Sequence, residues 1–100
     1  MENVSIKLHD DKSIIIFKGA LNINYISAIK GELEELISFD NDIEVHLESP
    51  DSIDVTFVQL LVALRNSCNA KDSKFKITSQ LSDDVLGLMK NAGLEDLFIN

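Results

Sequence analysis

The sequence predicts an α/β fold, a mixed four-stranded sheet packed with three helices in the order β-β-α-β-α-β-α. Stretches in which apolar and polar residues alternate are typical of strands, and stretches with apolar residues every three to four positions are typical of helices. After an initial pair of strands, the two kinds of stretch alternate along the chain. This order indicates parallel strands joined by right-handed helical crossovers.

The chain begins with two predicted strands joined as an antiparallel hairpin. Val4, Ile6 and Leu8 alternate with polar residues, and a short polar turn separates them from an apolar run at residues 14–17. A short turn between two strands is typical of a hairpin. Because the second run is continuous and β-branched, it predicts a central strand that is covered on both faces of the sheet.

The first helix and the third strand follow. Residues 24–39 carry apolar residues at helical spacing, with acidic residues on the opposite face. Residues 43–47 alternate between apolar and polar, which predicts a strand. Residues 48–54 are polar and include Pro50, so we expect them to form a loop.

The second helix, predicted over residues 55–70, is unusually apolar. Its apolar residues cover nearly every direction, so the helix is either buried on most sides or forms part of a docking surface. Thr56 and Gln59 have the spacing of a capping box at the helix start. Cys68 falls on the apolar side and is predicted to be a buried structural thiol.

A short strand and a third helix complete the predicted fold. Phe75 and Ile77 alternate with lysines as a fourth strand. Ser82 is placed to cap the last helix at its start, and Gly93 is placed to end it.

Length and charge limit the classes of function. Residues 1–100 are expected to form a single domain, because 100 residues leave no room for two cores of ordinary size. The net charge is −8 and the nine basic residues form no run, which argues against nucleic acid or an anionic membrane as a partner. One cysteine, no signal sequence and no apolar run of membrane length predict a cytoplasmic protein without direct membrane insertion.

The sequence lacks the usual motifs for catalysis, metal binding and phosphate binding. No glycine-rich phosphate loop is present, and His9 and His46 fall in or beside different strands without zinc-like spacing. The acidic clusters lie at predicted turns, where Asp and Asn make local hydrogen bonds. We therefore expect no catalytic residue, no metal and no cofactor, and a chain that is not an enzyme.

The most informative segment is residues 51–61, which joins the end of a central strand to the start of the second helix. In open α/β sheets, ligands and partners bind at this edge. The helix start also offers free N–H groups. Asp54 or Thr56 is expected to cap the helix, and capping is compatible with recognition by a partner.

Three stretches resemble the STAS domain, the module shared by anti-sigma-factor antagonists and sulfate transporters. Residues 17–22, Phe-Lys-Gly-Ala-Leu-Asn, are similar to the family's link between the second strand and the first helix. Residues 43–47 are similar to its third strand. Residues 53–61, I-D-V-T-F-V-Q-L-L, are similar to its motif I-D-S-x-G-L-x-L-L. Residues 57–61 also look like a variant type found in bacterial chemotaxis and signalling systems.

The resemblance implies a phosphorylation switch, from which this sequence departs. In antagonist members a partner kinase phosphorylates the serine directly after the loop aspartate, and the phosphate releases the kinase. Here Val55 stands at that position without a hydroxyl, Phe57 replaces the family's glycine, and Asn22 replaces its aspartate. Thr56, the next residue, is the alternative phosphorylation site. Without it, the domain is a constitutive binder or is switched only through its partner.

We interpret the chain as a non-catalytic protein-interaction module. It is expected to dock a kinase, an anti-sigma factor or a chemotaxis component through the loop between the third strand and the second helix. The expected partner-binding residues are Asn22, Ile23, Asn24, Ser52, Asp54, Val55, Thr56 and Phe57. A homodimer is left open.

Two other classes of function remain in view. One is a small-molecule or nucleotide-binding domain of the same fold, against which the shortage of basic residues counts. The other is a phosphotransfer or receiver-like domain built around Asp54, against which the missing acidic pair in the first strand counts.

Overall fold

The computed structural model of the chain describes residues 3–37, 40–78 and 83–93, which form four strands and three helices. The predicted fold class and element order are confirmed. The predicted cap at Ser82 and the predicted helix end at residue 39 lie outside the described residues. The elements are β1 (Val4–His9), β2 (Lys12–Leu21), α1 (Ile26–Leu36), β3 (Asp42–Ile53), α2 (Val55–Ala70), β4 (Phe75–Ile77) and α3 (Asp83–Asn91).

The sheet has the strand order β1-β2-β3-β4. β1 runs antiparallel to β2 through a turn at Asp10 and Asp11, and Asp10 adopts the left-handed conformation that Asp tolerates in tight turns. β3 runs parallel to β2 and to β4, with α1 and α2 as the crossovers. The predicted hairpin and the predicted parallel crossovers are therefore confirmed.

The helices pack on one face of the sheet. Successive strand residues point to opposite faces, so Ile15 and Phe17 share one face with their partners on β3. Apart from Ile6 and Leu8 of β1, the apolar strand residues of this inner face are buried, and they join apolar residues of all three helices in one core. Its strand residues are Val4, Ile15, Phe17, Ile43, Val45, Leu47, Phe75 and Ile77.

The opposite face, which we call the open face, carries none of the core residues that the structure describes. Ile14 and Ile16 lie there and are only half-buried, so the prediction that residues 14–17 are covered on both faces is wrong for the described part of the chain. The apolar run indicates that β2 has apolar side chains on both faces of the sheet, but the three helices cover only one of these faces. The open face consists of Ser5, Lys7, His9, Lys12, Ile14, Ile16, Lys18, Asp42, Glu44, His46, Glu48 and Lys76.

β3 is longer than predicted because it contains a bulge. Lys18 pairs with Glu48 and Ala20 with Ser52, so three residues of β3 lie opposite Gly19 alone. Pro50, which has no N–H to donate, falls inside this irregular stretch, where a strand tolerates it. The prediction of a loop at residues 48–54 is therefore wrong, because the strand resumes its pairing and ends at Ile53.

Gly19 provides the backbone conformation that the bulge requires. Its φ is +79°, which L-residues with a Cβ rarely adopt, and an added Cβ would lie 3.1 Å from the side-chain amide of Asn3. That amide donates hydrogen bonds to the carbonyls of Lys18 at 3.1 Å and Ala20 at 3.3 Å. Asn3 thus satisfies backbone groups on both sides of the glycine.

Of the first two helices, α1 differs from its predicted bounds and α2 does not. α1 is shorter than residues 24–39, since Asn24 and Tyr25 form a turn and the helix begins at Ile26. α2 matches residues 55–70, and most of its apolar side chains are buried in the core. Of the two alternatives for this apolar helix, the structure shows burial.

Cys68 lies in the core beneath α2 and is fully buried, as predicted. Burial raises the pKa of its thiol to about 11, and the charge of Asp42 contributes to the same shift. The thiol therefore stays protonated at neutral pH, which suits a structural role.

Candidate functional site

The two central parallel strands end side by side, and the turns that follow them form the candidate site. Leu21, the last residue of β2, pairs with Ile53, the last residue of β3. The N–H of Asp54 donates to the carbonyl of Leu21 at 3.3 Å. The two turns thus form one surface, which we call the junction surface: Asn22, Ile23, Asn24, Ser52, Asp54, Val55 and Thr56.

Asp54 holds both turns through its two carboxylate oxygens. Oδ1 accepts hydrogen bonds from the N–H of Thr56 at 3.0 Å, the N–H of Phe57 at 3.4 Å and the hydroxyl of Thr56. Oδ2 accepts a hydrogen bond from the N–H of Ile23 at 2.9 Å. One carboxylate therefore caps α2 and also fixes the turn that leads into α1.

The hydrogen bonds favour the charged form of Asp54. The hydroxyl of Thr56 contributes most to lowering the pKa of this carboxyl, and partial burial opposes the shift. The N–H groups of Ile23, Phe57 and Thr56 lower the pKa further. The junction surface therefore carries a fixed negative charge at neutral pH.

The predicted capping box at Thr56 and Gln59 is wrong. An N-cap residue has an extended backbone outside the helix, and Asp54 has this conformation, with φ −126° and ψ −177°. Val55 is the first helical residue, so Thr56 already lies within the first turn. The alternative that Asp54 caps the helix is confirmed.

Asn22 makes the second link between the two turns. Its side-chain amide donates to the hydroxyl of Ser52 at 2.8 Å. Its side-chain oxygen accepts from the N–H of Asn24 at 3.0 Å, which forms an Asx turn ahead of α1. Asn22 thus orients its own turn and ties that turn to the end of β3.

Large apolar side chains are exposed around this polar network. Ile23 is 66% exposed, Val55 is 55% exposed and neighbouring Tyr25 is 43% exposed. Within the described residues only Leu8 and Leu86 are comparable, and neither belongs to the junction surface. The edge of the sheet thus combines fixed hydrogen bonds with apolar side chains that face water.

Phe57 is the one expected partner-binding residue that the structure places elsewhere. Its side chain is fully buried, and its ring meets that of Phe17 edge to face, with centroids 4.9 Å apart and an angle of 81°. A side-chain contact between Phe57 and a partner is therefore a wrong prediction. The ring instead packs the first turn of α2 onto the inner face of the sheet.

A groove between α1 and α2 continues from the junction surface. The part beside the junction has a volume of about 350 Å³, and a further 310 Å³ extends along the two helices. Leu60 and Ala63 line both parts, together with Lys30, whose ammonium is the only cation among the described lining residues. The groove is mostly apolar, and Glu34 borders its far end.

The remaining titratable cluster lies on the open face, away from the junction surface. His46 Nε2 lies 2.6 Å from Glu44 Oε2, and Lys12 Nζ lies 3.1 Å from Glu44 Oε1. The hydrogen bond with His46 contributes most to lowering the pKa of Glu44, burial opposes it, and Lys12 lowers it further. His46 is a half-exposed strand residue with a local partner.

The described residues contain neither a membrane-spanning helix nor a metal-binding group. Within these residues, none of the helices is both long and apolar enough to cross a membrane. The same part of the chain holds no group of three or more His, Cys, Asp or Glu side chains arranged for a metal ion.

The sheet order, the mixed strand directions and the helices on one face define the class: this chain has the STAS fold. No family model matches the sequence, and no curated protein matches it. Among the solved structures it resembles are ones described as anti-sigma-factor antagonists, so the resemblance inferred from the sequence is confirmed for the fold.

Three of these structures illustrate the likeness. TM1081 of Thermotoga maritima, described as an anti-sigma factor antagonist, has a TM-score of 0.78 at 20% identity, covering 97% of this chain and 86% of its own. Unphosphorylated SpoIIAA, an anti-sigma factor antagonist, has a TM-score of 0.73 at 15% identity, covering 96% and 85%. SpoIIAA of Bacillus in its phosphorylated form has a TM-score of 0.71 at 13% identity, covering 96% and 88%.

Proposed function

We propose that this chain is a single, cytoplasmic, non-catalytic STAS-type domain that docks a partner kinase or another regulator in bacterial signalling. The junction surface is the docking site. The observation that carries the proposal is the combination of the two exposed apolar residues, Ile23 and Val55, with the hydrogen-bonded frame that Asp54 and Asn22 build around them. A chemotaxis component is a second kind of partner within this proposal.

The geometry suits recognition because the contact residues are preorganised. The turns before α1 and α2 are fixed to each other, so binding does not have to order them. Apolar side chains surrounded by polar groups are typical of the centre of a protein interface. The position also agrees with the general rule that partners bind at the carboxyl ends of parallel strands.

Regulation at this site would act through Thr56. SpoIIAA is known in a phosphorylated and an unphosphorylated form, and in this chain Val55 after Asp54 has no hydroxyl. The hydroxyl of Thr56 donates to Asp54, so a phosphate there would face that carboxylate directly. Repulsion between the two anions would break the link to Ile23 and change the docking surface.

The first test places a photo-crosslinking amino acid at Val55 and, in a matched variant, at Leu8. Both side chains are exposed aliphatic groups, but Leu8 lies at the hairpin end of β1, away from the junction surface. Irradiation in the native host should give a covalent adduct with a kinase or regulator at Val55 only. Adducts at Leu8 alone would place the interface elsewhere, and a product of doubled mass would indicate a homodimer.

The second test uses substitutions that change the surface without removing the frame. Ile23→Lys and Val55→Lys should weaken binding of the crosslinked partner by tenfold or more, because an apolar contact is replaced by a buried charge (about 1.4 kcal/mol or more). Leu8→Lys should leave the affinity within about twofold. Equal affinities for all three variants would contradict the proposed surface.

A third test separates phospho-regulation from constitutive docking. Thr56→Glu should weaken binding if a negative charge at this position repels Asp54, whereas Thr56→Val removes the hydroxyl without adding charge. Loss of binding with Thr56→Glu and its retention with Thr56→Val is the expected result. Retention with both variants would leave docking without a switch at Thr56.

A small-molecule or nucleotide-binding domain is the second candidate, and the groove between α1 and α2 favours it. Its volume of about 350 Å³ beside the junction surface lies at the lower end of the range for ligand pockets, which begins at about 300 Å³. A lining with Lys30 as its only cation suits an apolar ligand better than a triphosphate. Calorimetry with ATP, GTP and common lipids tests this candidate, and the absence of heat would remove it.

A further inference from the structure

The open face of the sheet is a second surface that the junction surface does not explain. Its pairing places Lys7, Ile14, Glu44 and Lys76 in one row across all four strands. No core residue of the described chain lies on this side. All-parallel sheets are almost always covered on both faces, and three of the four strands here are parallel, so a face on which no described core residue packs is a candidate surface for a further layer.

Basic residues outnumber acidic ones on the open face, whereas acidic residues are in excess in the rest of the sequence. It holds four of the nine basic residues but only three of the seventeen acidic ones, so the remaining sequence has fourteen acidic and five basic residues. The acidic side chains of the face are partly satisfied already. Glu44 contacts Lys12 and His46, and Asp42 accepts from the N–H of Lys74 at 2.9 Å.

Three lysines of the open face have no such partner. Lys7, Lys18 and Lys76 are exposed, and none of them has an ion pair or hydrogen bond to a side chain that the structure describes. They surround Ile14 and Ile16, which are half-buried among their neighbours. The face thus has an apolar centre with cations at its edges.

The dimensions of this surface match one α-helix. Lys7 and Lys76 are separated by three strand spacings, about 14 Å, and β2 measures about 20 Å from Lys12 to Lys18. A helix with its side chains is about 10–12 Å wide, and about 14 residues of helix cover about 20 Å. A helix lying along β2 would therefore have Lys7 at one side, Lys76 at the other and Lys18 beneath one end.

We infer that the open face docks an amphipathic helix of another protein, with an apolar stripe on Ile14 and Ile16 and acidic residues beside Lys7, Lys18 and Lys76. Charge complementarity selects an acidic helix. A second copy of this chain fits less well, because most apolar residues of its α1 and α2 are used in its own core. This inference is independent of the proposed function, since the junction surface lies at the edge of the sheet.

The direct test titrates the isotope-labelled full chain with synthetic peptides of about 14 residues. One peptide has leucines at helical spacing flanked by glutamates, and its control has the same leucines flanked by lysines. The acidic peptide should shift the amide resonances of Ile14, Ile16 and Glu44 and leave those of α1 and α2 in place. Its affinity should fall as salt is added, because the contacts at the rim are ionic.

Charge reversal with a matched control locates the site. The triple variant Lys7→Glu, Lys18→Glu, Lys76→Glu should bind the acidic peptide about tenfold more weakly, as expected for three exposed ion pairs. The control triple variant reverses three exposed lysines on the helical side and should remain within about twofold of the unchanged chain. The control changes are Lys30→Glu, Lys71→Glu and Lys90→Glu.

A milder variant guards against loss of the fold. Lys76 pairs with Glu44, so a glutamate at position 76 would add a like-charge pair across the strands. Lys7→Gln, Lys18→Gln, Lys76→Gln avoids this repulsion and should weaken peptide binding in the same direction by a smaller factor. Resonance dispersion like that of the unchanged chain verifies folding for both triple variants.

Three results would overturn the inference. The first is equal binding of the acidic and lysine-flanked peptides, or shifts confined to the helical side. The second is binding of phosphatidylglycerol vesicles but not of the acidic peptide, which would indicate a membrane surface. The third is protection of the Ile14 and Ile16 methyl groups from a soluble gadolinium chelate in the free chain, because the face would then already be covered.

Discussion

The two faces of the sheet are built from the same strands but are stabilised in different ways. Ile15 is fully buried beneath the helices, whereas its chain neighbours Ile14 and Ile16 lie on the open face and remain partly exposed. The inner face is held by apolar surface removed from water. On the open face, the side chains of Lys12 and His46 instead interact with the carboxylate of Glu44. The same residue type therefore has a different energetic role one position along the chain.

The largest expected effect tests this difference directly. Ile15→Ala should lower the free energy of unfolding by about 3 kcal/mol, because it leaves a cavity in a closed core. Ile14→Ala should cost only about 1 kcal/mol, since water already reaches part of that side chain. Urea unfolding followed by circular dichroism measures both. Equal losses would show that the open face is covered in solution.

A smaller loss of stability is expected on substitution of Asp54, which links the start of α2 to the turn after β2. Asp54→Ala should lower the free energy of unfolding by about 1.5 kcal/mol, because it removes the cap of α2 and the bond to Ile23. Asp54→Ser keeps a capping oxygen and should recover part of that loss. The exposed Asp11 is the matched control, and Asp11→Ala should stay within about 0.5 kcal/mol. A similar cost at both aspartates would refute the shared-carboxylate account.

The next smaller loss of stability is expected at Gly19, in the bulge where the alternation of residues between the inner and the open face is interrupted. Gly19→Ala should destabilise the fold by about 1 kcal/mol, because φ is +79° and Asn3 is close to the added Cβ. Gly31→Ala in α1 is the control, because nothing lies within 4 Å of its added Cβ and alanine favours helices. We expect that control to raise stability by about 0.5–1 kcal/mol. Effects of the same sign would contradict the assigned role of Gly19.

The smallest effect concerns pH and belongs to the open face. The folded-state pKa of Glu44 lies below its ordinary value of 4.5, so its contribution is present above that value and is lost as pH falls through the folded pKa. At about pH 6, Glu44→Gln should therefore be less stable than the unchanged chain by about 0.5 kcal/mol. The difference should shrink as pH falls through the folded-state pKa of Glu44, and Ile15→Ala should keep its full cost over the same range. A difference that does not change with pH would exclude an ionic origin.

The order of elements and the strand directions were predictable because local patterns encode them. The alternation at Val4, Ile6 and Leu8 and the short turn after them identify the hairpin, and both are found in the structure. The exposure of Leu8 differs from the pattern, since only tertiary structure shows that the helices do not reach the end of β1.

The misjudged features depend on residues far apart in the sequence. Pro50 and its polar neighbours have the composition of a loop, and only the pairing of Ser52 with Ala20 across the bulge makes them part of β3. The apolar run of β2 indicates two apolar faces but carries no information about what covers each one. Local spacing therefore decided the elements, while partners across the sheet decided their lengths.

The sequence predicted the residues of the candidate site, but it did not predict the hydrogen bonds that join them. Asp54 was predicted as a helix cap, and its second bond goes to Ile23, 31 residues away, which no local motif announces. The hydrogen bond between Asn22 and Ser52 likewise joins residues 30 positions apart, so no local motif predicts it. Phe57 was misplaced on the surface because its position in the resembling motif lies beside residues that are exposed. Its own apolar character was the signal for burial.

The shared carboxylate of Asp54 also determines how the junction moves. Because the N–H groups of Ile23 and Thr56 both donate to it, a displacement of this one side chain exposes both amides to water together. We therefore expect the turns before α1 and α2 to open as a single cooperative unit, with their amide hydrogens exchanging with solvent on a common timescale. A partner that restrains one turn slows the motion of the other, although the two turns lie far apart along the chain.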